Sequence, residues 1–152
     1  MLAYSMFRAG YLGEASVMGE AVARYGVKDS PQTKSGAMIA MAACQEANQT
    51  HWATPENVGE LDQMHRVIKL IEKRWPKDPS LSLYYLNLAQ LYDRFSAPMK
   101  AAAIYRLIPA SSKHFATSQL AAGSALWGEY RTLAADTENP AANPKQLNQI
   151  RE

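Results

Sequence analysis

The residues of this chain whose types could do chemistry are three histidines, one cysteine and the run Ser111-Ser112-Lys113-His114. A helical zinc site needs two imidazoles one turn apart with a glutamate between them. His51, His65 and His114 are scattered instead, and each reads as a surface or helix-end residue. The Ser111 to His114 run gathers nucleophile, base and acid types, but it stands where serine is expected to cap a helix. Gly10-Tyr11-Leu12-Gly13 lacks the lysine that a phosphate-cradling loop requires, so it reads as a turn between helices. Cys44 is the only cysteine, which excludes an intrachain disulfide and a multi-cysteine metal site. Within Met41-Ala42-Ala43-Cys44 it reads as a small apolar packing residue. No catalytic residue, cofactor site or metal site is therefore predicted.

Charge excludes further classes. Lys plus Arg number 16 and Asp plus Glu 14 in 152 residues, a near-neutral balance that names no partner. The basic run Lys69, Lys73, Arg74, Lys77 is offset by Glu72 and Asp78 and reads as a solvated face. Few aromatics remain for stacking bases, so no nucleic-acid partner is expected. His114 to Gly128 is the longest stretch free of Asp, Glu, Lys and Arg, too short for a membrane helix, and no membrane insertion is expected. Met1 to Phe7 has neither the basic leader nor the full apolar core of a signal peptide, and the compartment stays unassigned. Asn48-Gln49-Thr50 matches the glycosylation sequon, a pattern short enough to arise by chance.

The elements that must position any site are helices. Alanine occurs 25 times against 11 for Val plus Ile, a skew toward helix formers and away from strand formers. Breakers divide the chain into helical stretches at Leu2 to Arg8, Gly13 to Tyr25 and Gln32 to about Asn48. Further stretches follow from Thr54-Pro55-Glu56 to Trp75, from Ser80 or Ser82 to about Phe95, from Met99 to Ile108, and from Ser111-Ser112 to about Ala135. Leu61, Met64, Ile68, Ile71 and Trp75 mark one apolar face at steps of three and four, with Asp62, Arg66, Lys69 and Glu72 between them. Residues 136–152 are polar and hold Pro140 and Pro144, which predicts a tail or a short terminal helix beyond a domain of residues 1–135.

The helices repeat. Leu88, Ala89, Tyr92 and Ala101 recur 34 residues later as Ala122, Gly123, Leu126 and Ala135. Pro31 and Pro79 fit the same period with an insertion between Ala47 and Gly59. Tyr85-Leu86-Asn87-Leu88-Ala89-Gln90-Leu91-Tyr92 followed by Ala101-Ala102-Ala103-Ile104-Tyr105, with Pro79 ahead of them, resembles a unit of the tetratricopeptide repeat family. The resemblance implies an all-α fold, a superhelix or solenoid of antiparallel helix pairs in about three to four degenerate units. It departs from the family at Pro109, which comes early, and at Glu129 to Thr132, where no turn divides the last unit. That last helix is expected to run on as a cap, and the abrupt first unit predicts further chain before Met1. Tyr85, Leu88, Tyr92 and Tyr105 should fill grooves between helices, and Ala89, Gly123 and Ala101 should let helix backbones pass closely.

The resemblance also implies a function. First helices of such pairs line a concave groove that receives a peptide or a partner helix. Facing it would be Met38, Gln45 and Glu46, then Leu83, Leu86, Asn87, Gln90, Asp93 and Arg94, then Thr117, Leu120, Ser124 and Trp127. Asn87, Gln90 and Arg94 can hydrogen-bond an extended backbone, and Trp127 or Trp52 would be the anchor. The family's paired Lys and Asn clamp for a peptide terminus is incomplete here, because no lysine joins Asn87. The expected role is a non-catalytic protein-binding or scaffold module. Two other readings are a helical-bundle enzyme or small-ligand binder, with a site near His51-Trp52 or Ser111 to His114, and a spacer that self-associates through its ends.

Overall fold

Apolar residues at steps of three and four, punctuated by Gly, Pro and Ser, fold here into seven helices among the described residues, with no strand. The computed structural model describes residues 2–50 and 58–135. The helices are α1 (Leu2–Arg8), α2 (Leu12–Tyr25), α3 (Pro31–Thr50), α4 (Val58–Arg74), α5 (Leu81–Arg94), α6 (Pro98–Tyr105) and α7 (Phe115–Ala135). The expected start at Thr54-Pro55-Glu56, the residues His51 and Trp52, and the tail at 136–152 lie outside the described residues. So does most of the expected insertion. Among the described residues no helix is long and apolar enough to cross a membrane.

Contacts divide the chain into two compact units, Met1–Tyr84 and Tyr85–Glu152. In the first, α1 packs on α2, α2 on α3 and α3 on α4, while α1 also touches α3 and α2 touches α4. The α2–α3 crossing is built from small residues. A Cβ added at Gly19 would lie 2.6 Å from the Gly36 carbonyl and 2.8 Å from the Ala40 nitrogen. Ala15, Ala23, Ala37 and Ala40 are buried beside them, so the two backbones come as close as side chains of this size allow. The face of α4 foreseen as apolar is buried throughout, from Leu61, Met64 and Ile68 through Ile71 to Trp75. Cys44 is buried too, as its neighbours led one to expect. Asn48 of the sequon is 5% exposed and its amide donates to the Cys44 carbonyl at 2.7 Å, so it does not offer that nitrogen to solvent.

Helix ends explain the connections. Gly10 has φ +82°, and the Gly10 and Tyr11 amides donate to the Phe7 and Met6 carbonyls, closing α1 with a left-handed glycine cap. The Ser30 hydroxyl accepts the Thr33 amide at 3.1 Å with Pro31 at the first helical position, a start signal for α3. Arg74, at the end of α4, reaches back to the end of α2. Its guanidinium donates to the carbonyls of Ala23, Arg24 and Gly26, the last two at 2.9 Å. Ala23 and Arg24 lie in the last turn of α2, where carbonyls run out of helical amides, and Gly26 follows it, so one side chain closes α2 and ties it to α4. Next to it the Trp75 indole donates to Asp29 at 2.9 Å, in the turn that joins α2 to α3.

In the second unit Tyr85, Leu88, Tyr92 and Tyr105 are buried, as are Ala89 and Ala101. The Tyr105 hydroxyl donates to Asp93 at 2.8 Å, joining α6 to the last turn of α5. α6 packs on α7, which runs unbroken for 21 residues past Glu129 to Thr132. One expectation fails. Gly123 is exposed and a Cβ built there meets nothing within 4 Å, so it is not a point of close helix approach. Ala122, the counterpart of Leu88, and Ser118 face inward, at 3% and 0% exposure.

Candidate functional site

Met38 lies in the middle of α3, on the side away from the buried row Ala37, Ala40, Met41 and Cys44. A thioether in open water is an unusual placement in a helix whose other side is packed so tightly; Met38 is 63% exposed. Beside it, Tyr4 of α1 is 53% exposed. Tyr4, Met38 and Ile39 line an open depression of about 430 Å³ between α1 and α3, with Ser35 as its polar member. That is room for one or two large apolar side chains, with a hydroxyl at hand for a backbone group. Of these four residues only Met38 is among those foreseen from the sequence. Tyr4 was missed because α1, at seven residues, is too short to show a face by periodicity, and Ser35 and Ile39 because the Ala- and Met-rich sequence of α3 marks no clear outward face.

The remaining candidate residues occupy surface positions in both units. In the first, Gln45 is half-buried and Glu46 exposed on α3, while Leu83 at the start of α5 is exposed. In the second, Leu86 and Asn87 are half-buried and Gln90, Asp93 and Arg94 are exposed, along the α5 side opposite Tyr85, Leu88 and Tyr92. Asp93 holds the Tyr105 hydroxyl, so its carboxylate already has a structural task. That bond and burial push the Tyr105 phenol well above its ordinary value, burial being the larger cause.

Along α7, Thr117, Leu120, Ser124 and Trp127 are all exposed and recur at three and four residues, one continuous outward stripe. Leu120 is 74% exposed and Trp127 61%. The Trp127 indole stacks on Tyr130, with centroids 5.6 Å apart and planes 12° from parallel, which holds the Trp127 side chain in a preset orientation.

Of the residues that suggested catalysis, Ser112 has a structural task. Ser112 accepts the His114 amide at 3.2 Å just before α7, a helix-start bond. His65 sits on α4 with its Nε2 shut off from water and unbonded by any described residue. Burial, and then the nearby Lys69, push its pKa below the ordinary value of 6.5, against the weaker pull of Asp62 and Glu72. No group of three or more His, Cys, Asp or Glu that could hold a metal ion occurs among the described residues. Comparison with protein families, curated proteins and solved structures finds no match for this chain.

Proposed function

We propose that the chain is a non-catalytic protein-interaction module built from tetratricopeptide-like antiparallel helix pairs. In this reading α1/α2, α3/α4 and α5/α6 are the pairs of a solenoid and α7 is its cap. The first helix of each pair presents side chains to a bound peptide or partner helix. The observation that carries this reading is the depression lined by Tyr4 and Met38, exposed apolar residues on α1 and α3, the two helices that would be first in their pairs. Exposed methionine suits such a role, because an unbranched polarizable side chain adapts to differing partners. The outward stripe Leu120 to Trp127 on α7 supports it from the second unit.

The experiment starts from peptides selected against the full chain out of a displayed random library. Selected peptides are expected to carry an aromatic or aliphatic anchor. Tyr4→Asp with Met38→Asp is expected to weaken them by about tenfold or more, since each buried apolar anchor contributes on the order of 1 to 3 kcal/mol. Both positions are exposed, so the thermal midpoint should hold. Peptides that bind the double variant as well as the parent chain would remove the depression as the site.

A further inference from the structure

The basic run foreseen as a solvated face turns out to be part of a larger arrangement. Arg66, Lys69 and Lys73 project from α4 at steps of three and four, and Arg24 of α2 and Arg74 join them around one open cleft of about 830 Å³. Asp62 is the single carboxylate in its lining. From Asp62 to Arg74 the row follows the helix axis for about 18 Å at 1.5 Å per residue. Glu20 and Glu72 sit against Arg24 and Lys69, so the positive charge is thinned there and strongest at the exposed Arg66 and Lys73. All these residues belong to the first unit, and none of them lines the Tyr4–Met38 depression.

We propose that this cleft is a second docking surface and that its occupant is an extended, acidic polypeptide segment. The shape of the charge selects the partner. A lone phosphate needs donors that converge on a point, whereas these cations are strung out along a helix. A nucleic-acid strand would bring evenly spaced phosphates past Asp62, Glu20 and Glu72, and the one ring in the lining is the half-buried His65 imidazole, too little for successive bases to stack on. A peptide can set carboxylates opposite Arg66 and Lys73 and neutral residues opposite the three acids. Leu70, in the middle of the row, supplies apolar contact for the peptide's methylene groups. Complementary charge of this kind steers association and fixes register.

The test uses the full chain and a fluorescent peptide of about eight residues alternating Glu and Gly, long enough when extended to follow the row. Its controls are the Lys-for-Glu counterpart and a single-stranded oligonucleotide of equal charge. The acidic peptide is expected to bind, and to weaken as salt rises from about 50 to about 200 mM. Arg66→Glu with Lys73→Glu is expected to weaken it by about tenfold or more. Arg66→Gln with Lys73→Gln should show a smaller loss in the same direction, and serves if the reversed pair does not fold. Tyr4→Asp with Met38→Asp should leave this binding intact, which separates it from the apolar depression. No binding of the acidic peptide, equal binding of its Lys counterpart, indifference to both charge variants, or tighter binding of the oligonucleotide would overturn the proposal.

Discussion

At Gly19 a single methyl group decides how closely two helices can lie. Placed 2.6 Å from a backbone oxygen, it cannot be relieved by turning a side chain, so α2 and α3 must move apart. Gly19→Ala is expected to cost about 1 to 3 kcal/mol by overpacking, more than the roughly 1 kcal/mol that alanine returns through helix propensity. Gly123→Ala meets open space and should stabilise by about 0.5 to 1 kcal/mol, so urea unfolding of the two variants should shift in opposite directions. A shift of the same sign in both would mean that the α2–α3 crossing is looser than described. Tyr105→Phe, which removes the donor to Asp93, should lose about 1 kcal/mol in the same assay. The small residues at the real crossing were legible in principle, since Ala15, Gly19 and Ala23 recur every four residues. The 34-residue period drew attention to Gly123 instead, in a long helix whose outward side also carries Leu120 and Trp127.

Among the helices, α4 had the plainest amphipathic pattern in the sequence. Its buried face follows the foreseen residues because Leu61 to Trp75 repeat at a helical step with charges on the other side. What the pattern could not show is the reach of Arg74 across 48 to 51 residues to the end of α2, since a cap supplied from another helix leaves no local signature. Arg74→Met should lose about 2 kcal/mol, and the amides of the last turn of α2 should exchange faster. Arg74→Lys should recover only part of this, because an ammonium cannot fork across three carbonyls. The same helix holds His65, whose folded pKa is lowered by burial and by Lys69. As pH falls, the unfolded chain takes up this proton first, near the ordinary 6.5, so stability is fully present above that value. It then declines until pH has dropped below the folded value. The decline should shrink in His65→Gln, and an NMR titration of the His65 ring should show a midpoint below the ordinary value.

On the scale of the whole molecule, alanine-rich composition and the spacing of Gly, Pro and Ser were enough to foresee an all-helical chain. The ends of α1, α2 and α5 fall within a residue or two of those expected, because glycine and proline breakers act locally. The proposed binding surface was less legible. Of the foreseen residues Met38, Leu120 and Trp127 are exposed apolar side chains, whereas Asp93 is engaged with Tyr105. Tyr4 could not be found by pattern, since its partnership with Met38 depends on α1 lying against α3, a contact between residues far apart in sequence. In the proposed function an apolar peptide anchor seats between α1 and α3. Amide hydrogen exchange of the full chain, with and without a selected anchor-bearing peptide, tests it most directly. The expected result is slower exchange in Leu2–Arg8 and around Met38 with no change along the charged side of α4; protection confined to α4, or none in α1 and α3, would contradict it.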